Sequence, residues 1–429
     1  MQKARIVKRP LLGTALFLFL LLPFFNLYGL TLSEAVERAL TVSLLLKQQR
    51  KTVESSRFSY LSTLDPYLPK LTMGMNYERD LASLRSGYGR IGVTSRNLFD
   101  LSFTLSLRLF DGGERYALRR QALLSSEKEV ESLRSLEDEV VYTAKVTFFD
   151  TFTKGMVVRA RQEAYDAARR IHELTRERYK EGVAKRVEVL QSQVRMSEAE
   201  IDLTSAWQEY EKAKEGLKSI LQLEEVGELE GPEDEPVLSY KKEDLIGRAL
   251  SLRPDVKRQK KEVDRLRFAY RERQARFYPK LDMGLSEGRQ GSKFIPEETS
   301  KVALLGLSFP IFDGLSRYYE LKRLTTEIER ASLALDELIR NVALEVTKAF
   351  LDFELAKENV RRAKDLLREA QANFEQAFEE YRVGKGDILT LLQSQKALAE
   401  AKERLLGATL SAHLSLCLLE KVACIRGRE

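Results

Sequence analysis

The chain has 429 residues, 32% of them charged and 43% hydrophobic, with only 10 Pro and 23 Gly. That length exceeds one small domain, and the scarcity of Pro and Gly points to long uninterrupted elements. The formal charge of +6 falls to +2 once the four basic residues of positions 1–29 are set aside, and a near-neutral chain of intermixed charge is not a nucleic-acid binder.

Residues 1–29 read as a signal peptide. Lys3, Arg5, Lys8 and Arg9 form a basic start, an apolar run covers 11–22, Pro23 ends it, and Gly29 is a small residue for cleavage. The two cysteines, Cys417 and Cys424, lie far from this leader, so no lipid anchor is expected at a new terminus. They read as small apolar fillers rather than a disulfide. No other stretch reads as long and apolar enough to cross a bilayer as a helix.

After a first helix, residues 70–78 alternate: Leu71, Met73, Met75 and Tyr77 share one face, and Thr72, Gly74, Asn76 and Glu78 the other. Residues 101–110 do the same, with Leu101, Phe103, Leu105, Leu107 and Leu109 against Ser102, Thr104, Ser106 and Arg108. This period-two pattern predicts a β-hairpin over 69–110. "FDGG" follows at 110–113, where Asp111 is an N-cap candidate and Gly112 supplies a tight turn. No proline interrupts 114–179, which reads as a single helix of about 100 Å. The turn "YKEGVAK" (179–185) places Gly182 at a helix C-cap, and a returning helix runs over 186–222. No Ser, Thr, Asp or Asn stands ready to cap that return.

The acid-rich segment 224–241 reads as a linker, and beyond it the chain repeats itself. "YLPKLTMG" at 67–74 returns as "FYPKLDMG" at 277–284, with Pro69 and Pro279 210 positions apart. "FDGG" returns as "FDGL" at 312–315, with Asp313 and Gly314 at the corner, and "Y-x-x-G…LQSQ" returns with Tyr381 and Gly384, both offset by 202. The eight-residue deficit falls between Pro279 and Phe312, in what reads as a loop. The second copy thus predicts a hairpin over 279–312, a helix over 315–381, a tip at 381–387 capped by Asp387, and a return over 387–421. Its last strand carries Ala303, Leu305, Leu307, Phe309 and Ile311, with Leu304 on the polar face and Pro310 marking a bend. The organisation is two tandem structural repeats, 30–223 and 242–429.

Two readings compete for the strands. One is a half-buried sheet under helices, as in a secreted or periplasmic coiled-coil protein. The other is a transmembrane barrel, since about 9–11 tilted residues cross a bilayer. Four strands cannot close a barrel, and an open edge is not tolerated in lipid, so several copies must share one. Two copies would give eight strands and three would give twelve. Tyr67, Tyr77, Phe99, Tyr278 and Phe294 are the candidates for an interfacial aromatic belt. An enzyme is not supported. His172 and His413 are the only histidines, and no catalytic set, metal-ligand cluster or cofactor motif accompanies them.

Taken in order, "LTLSEAVERAL", the two "PKL" strand starts, the two "FDG" corners and the two "Y-x-x-G…LQSQ" tips resemble the TolC-like outer-membrane efflux protein family. The resemblance covers almost all of the mature chain. It implies an α+β membrane protein: a homotrimer whose twelve-stranded β-barrel, four strands per subunit, continues into a long periplasmic α-helical barrel. It implies an exit duct for drug efflux or type I secretion. The partners would be a periplasmic adaptor (membrane fusion protein), an inner-membrane transporter of RND, ABC or MFS type, and outer-membrane lipid. It places the gate and adaptor-docking site at the tips: Tyr179, Gly182, Lys185 and Glu188 in the first, and Tyr381, Gly384, Lys385 and Asp387 in the second. Tyr381 and Glu188 match a family latch, with Lys385 as its basic member. The family's basic residue two after the second Gly is here Gly386, and Thr390 and Gln393 stand where acidic rings are expected.

Overall fold

The computed structural model describes residues 29–85, 91–231, 238–312 and 314–425. The leader other than Gly29, and the corner residue Asp313, lie outside them. In chain order the elements are β1 (Leu30–Thr31), α1 (Leu32–Val42), α2 (Leu44–Ser62), β2 (Lys70–Arg85), β3 (Ile91–Phe110), α3 (Glu114–Lys180) and α4 (Arg186–Leu221). There follow β4 (Leu229–Glu230), α5 (Lys242–Leu252), α6 (Pro254–Ala275), β5 (Lys280–Gly291), β6 (Glu298–Ser308), α7 (Ser316–Arg382) and α8 (Ile388–Ala423).

The first helix expected in each half is two helices. Ser43 leaves helical geometry at ψ 117° and its Oγ accepts the Leu46 N–H at 3.4 Å, which ends α1 and starts α2. Arg253 does so at ψ 128° because it precedes Pro254, whose ring disfavours a helical predecessor. The long helices are uninterrupted: α3 and α7 each span 67 residues, and α4 and α8 each span 36. Gly155 does not break α3, and the Tyr210 ring of α4 lies 3.1 Å from where its Cβ would stand.

The helices form a row one layer thick. Nearest the sheet the order is α2, α3, α6, α7, and nearer the tips it is α4, α3, α8, α7. Small side chains allow this close packing. In α7 the buried residues Ala349, Ala356, Ala363, Ala370 and Ala377 recur every seventh position, the period of a coiled-coil seam. The largest apolar clusters sit midway along the row. One joins Leu245, Val256, Val342, Phe353 and Leu419, and the other joins Ala35, Phe148, Leu217 and Cys417. By length and composition α8 could cross a membrane, contrary to the sequence expectation. It instead lies along α7 and α3, where Lys402, Glu403, Glu420 and Lys421 pair with Glu163, Arg161, Lys145 and Glu139 of α3.

The sheet is antiparallel in the order β2-β3-β5-β6, with β2 and β6 at its open edges. The strands have 16, 20, 12 and 11 residues, so the length deficit of the second hairpin falls in its strands and not in a loop. The register keeps one face apolar over the half of the sheet nearer the helices, while Glu287, Arg289 and Lys301 fall on the same face farther out. Leu71 lies opposite Leu105, Met73 opposite Phe103, Leu107 opposite Met283, and Leu281 opposite Leu307. On the other face Thr104 Oγ1 and Ser286 Oγ are 3.1 Å apart, and Arg108 Nε donates to Asp282 Oδ1 at 2.8 Å. Two strand expectations need correction. A register shift between Arg108 and Phe110 makes Leu109 the extra residue of a bulge, and Phe110 takes its place opposite Leu281. β6 ends at Ser308, so Phe309 and Ile311 lie beyond it, next to Pro310, which has no ladder donor.

Candidate functional site

The sheet presents its apolar face bare. Met73 is 63% exposed and Leu305 66%, and no described helix covers them. Aromatic rings mark the two ends of that face. Tyr77 and Phe99 lie 4.7 Å apart with Phe294 edge-on to Phe99 at 5.7 Å, while Tyr67 and Tyr278 are exposed near the helices. Ten strand residues at a tilt of about 40° rise roughly 25 Å, the height of a barrel's apolar band.

At the first corner the helix cap is Gly113, not Asp111. Asp111 reaches over from two residues earlier and is 5% exposed. Its Oδ1 accepts the Gly113 N–H at 3.0 Å, and its Oδ2 accepts the Arg115 N–H at 3.0 Å and Arg115 Nε at 2.7 Å. Burial pushes its carboxyl up, but the two amides and the guanidinium outweigh burial and hold it below the ordinary value. Gly112 has φ +66°, and a Cβ there would lie 2.6 Å from the Cβ of Tyr278, so only glycine fits. Arg115, missed in the sequence, also donates to the carbonyls of Pro66 and Arg108 at 2.9 Å and stacks over Tyr67. At the second corner Gly314 has φ +87°, and Arg317 donates to the Arg276 carbonyl at 2.8 Å and stacks over Phe277. The legible signal was an Arg four residues after each corner Asp.

Both tips turn the same way. Gly182 and Gly384 have φ of 76° and 77°, as expected of C-cap glycines. Val183 and Ala184 donate to the Arg178 carbonyl, and Lys385 and Gly386 donate to that of Glu380. Asp387 caps α8, accepting the Leu389 N–H at 3.1 Å. The return helix α4, which lacked an obvious cap, is capped from inside. Glu188 Oε1 reaches back to accept the Lys185 N–H at 3.1 Å.

The other oxygen of Glu188 joins the two tips. Tyr381 is 1% exposed, and its hydroxyl lies 3.2 Å from Glu188 Oε2 and 3.2 Å from Thr175 Oγ1. Thr175 gives its own proton to the Ile171 carbonyl at 2.8 Å. The single phenol proton is therefore demanded from both sides, and the carboxylate is the stronger acceptor. The Arg178 guanidinium stacks over the Tyr381 ring at 4.7 Å and donates to the Tyr381 carbonyl. Ile171, Ala377, Ile388 and Leu391 close the apolar pocket behind the ring. Burial raises the phenol above its ordinary value, and Glu188 adds to the rise.

The structure thus unites Tyr381 and Glu188 as the sequence predicts. It does not unite Lys385 with them. Lys385 is exposed, and its side chain has no hydrogen bond or ion pair among the described residues. The cation that meets Tyr381 is Arg178, on the other tip. The position equivalent to Tyr381 in the first tip, Tyr179, is 45% exposed, so the tips are alike in backbone and unlike in side-chain role. Gly386 cannot carry a basic side chain in this turn, since a Cβ would lie 2.9 Å from the Tyr381 nitrogen. Lys185 is exposed. His413 stacks on Phe149 at 4.6 Å, and burial lifts the Cys417 thiol to about 12, so both are packing groups. Among the described residues no cluster of His, Cys, Asp or Glu could hold a metal.

An uncovered amphipathic sheet running into a layer of helices about 100 Å long defines a TolC-like outer-membrane channel. Residues 35–221 and 245–423 match the family described as outer membrane efflux protein, and the chain belongs to that family. It is 20% identical over 392 residues to the outer membrane efflux protein BepC of Brucella suis biovar 1 (strain 1330), spanning 88% of this chain and 82% of BepC. Its fold is similar to that of VceC from Vibrio cholerae, with a TM-score of 0.78 at 14% identity over 91% of this chain and 95% of VceC. It is also similar to the CmeC channel of Campylobacter jejuni, with a TM-score of 0.77 at 16% identity over 91% and 85% of the two chains. The protein is accordingly an outer-membrane efflux channel with a periplasmic helical extension. Its family and fold are those of transport channels rather than enzymes, and the family supplies the outer-membrane component of tripartite efflux systems.

Proposed function

We propose that three copies of the chain assemble into one duct: a twelve-stranded barrel in the outer membrane continuous with a periplasmic helical barrel, closed at the tips. The sheet carries this reading. Its apolar face is bare and its edge strands β2 and β6 are unpaired in the single chain, a state lipid does not tolerate. The flanks of the helical row agree, with Leu44, Leu45 and Phe58 of α2, Val194 and Ile201 of α4, and Leu344, Leu351 and Leu355 of α7 exposed at its two edges. The equal lengths of α3 and α7, and of α4 and α8, support an internal duplication. A secreted coiled-coil protein would have no use for a sheet that is apolar on one side and hydroxyl-lined on the other.

In this duct the tips, residues 179–188 and 381–387, form the periplasmic gate and the adaptor-docking surface. Tyr381, Glu188, Thr175 and Arg178 hold the α7–α8 hairpin against α3 and α4 of its own subunit, and releasing them opens the entrance. The duct passes cargo delivered by an adaptor and an energised inner-membrane transporter, in drug efflux or type I secretion. The test is light scattering of the detergent-solubilised protein followed by planar-bilayer recording. The expected results are a trimer, a small closed-state conductance, and a higher conductance for Glu188→Gln. A monomer, or a bilayer that stays silent with both proteins, refutes the proposal.

A further inference from the structure

The linker strand β4 pairs with the short strand β1. Leu30 and Thr31 pair in parallel with Leu229 and Glu230, and the Leu30 N–H donates to the Glu228 carbonyl at 2.8 Å. Thr31 then caps α1 in a reciprocal capping box with Glu34, so the backbone is held from its first paired residue. Just upstream the Gly29 N–H donates to Glu230 Oε1 at 3.1 Å. A Cβ on residue 29 would lie 2.7 Å from Glu230 Cγ and 2.8 Å from the Glu228 carbonyl oxygen, so position 29 has room for hydrogen only. The Glu228 carboxylate is already matched by Arg159 at 2.6 Å. Glu230 has no cationic partner among the described residues, and its one hydrogen bond there is to the Gly29 amide. The surrounding linker, 224–236, holds seven acidic residues and no basic one.

We infer that the mature chain begins at Leu30 and that its freed α-amino group is held between the Glu228 carbonyl and the Glu230 carboxylate. The cut is a hydrolysis by a signal peptidase. Water's oxygen joins the Gly29 carbonyl carbon, the Gly29–Leu30 amide bond breaks, the leader departs as a carboxylate, and the amine on Leu30 takes up a proton. An ammonium has three N–H donors where the amide has one. One keeps the bond to the Glu228 carbonyl. The others face the volume Gly29 leaves, whose wall is the Glu230 side chain. Two strands of two residues have little stability of their own, so this ion pair fastens the linker to α1 only after the leader is gone.

The test uses the full-length protein extracted from outer membranes in detergent. Intact mass and N-terminal sequencing are expected to show Leu30 first; a retained leader, or a first residue elsewhere, overturns the inference without bearing on the trimeric duct. The second readout is the rate at which an amine-reactive acylating reagent labels the terminus at neutral pH, followed by peptide mapping. An exposed ion pair is expected to slow labelling about two- to fivefold relative to a free peptide of residues 30–35. Glu230→Gln restores the peptide rate and Glu230→Asp keeps part of the protection. Equal rates for wild-type protein and free peptide, or for wild type and Glu230→Gln, overturn the inference, and the first comparison needs no variant to fold.

Discussion

Replacing Tyr381 with Phe keeps the buried ring, its pocket and its stacking on Arg178, and removes one hydroxyl. That hydroxyl is buried and bonds a carboxylate at 3.2 Å, an interaction worth about 1.5–3 kcal/mol. Glu188 is only partly buried and keeps its bond to the Lys185 N–H, so it recovers some hydration and the lower end of that range applies. A loss of about 1.5 kcal/mol weakens this contact roughly tenfold, and in the proposed trimer three such contacts released together multiply the effect. The assay is planar-bilayer recording at neutral pH, with the thermal stability of the solubilised protein as a control. Tyr381→Phe is expected to raise the fraction of time spent open while leaving the thermal midpoint of the solubilised protein close to that of wild type. Arg178→Ala, which removes the stack and the bond to the Tyr381 carbonyl, is expected to act in the same direction. Unchanged closed-state conductance in both variants would refute the latch. The raised phenol pKa fixes the pH behaviour. The neutral phenol is favoured in the folded tip, so the latch is fully present below the ordinary value of 10.0 and is lost only as pH rises through the higher folded value.

Asp111→Ala leaves the Gly113 and Arg115 amides and the Arg115 guanidinium without their shared acceptor; a loss of about 1–3 kcal/mol is expected, read as a lower thermal midpoint in detergent. Because the folded carboxyl sits below the ordinary 3.8, its contribution is present above that value and disappears as pH falls through the lower folded one, so wild type and variant converge in strong acid. On the sheet, Met73→Arg places a charge on the apolar face and is expected to cost about 2–4 kcal/mol, seen as a loss of heat-modifiable oligomer. Ser106→Arg, on the opposite face, is expected to assemble normally and to lower single-channel conductance.

Much of the architecture was legible because it is written locally and many times over. Alternation along 70–78 and 101–110 exposes one face whatever surrounds it, and 67 residues without proline become one helix. The chain's own repetition located the corners and tips, and Gly182, Gly384 and Asp387 act at them as their residue types require. The strand errors have local physical causes too. The bulge at Leu109 depends on the pairing with β5, and the early stop of β6 on the missing donor of Pro310, and a pattern of two registers neither.

By itself the sequence determined the order of elements, the two-faced sheet and the place of the two helical tips, since each follows from side chains that repeat along the chain. Only the tertiary structure decided who grips whom. Arg178 and Tyr381 lie 203 residues apart and meet through the packing of two helix ends. The resemblance pairs Glu188 with Tyr381, but only the structure shows its other oxygen accepting the Lys185 N–H that opens α4. Lys385 stands one residue before the expected basic position, which is Gly386, where the turn leaves no room for a side chain, and the cation that meets the buried phenol is Arg178 from α3.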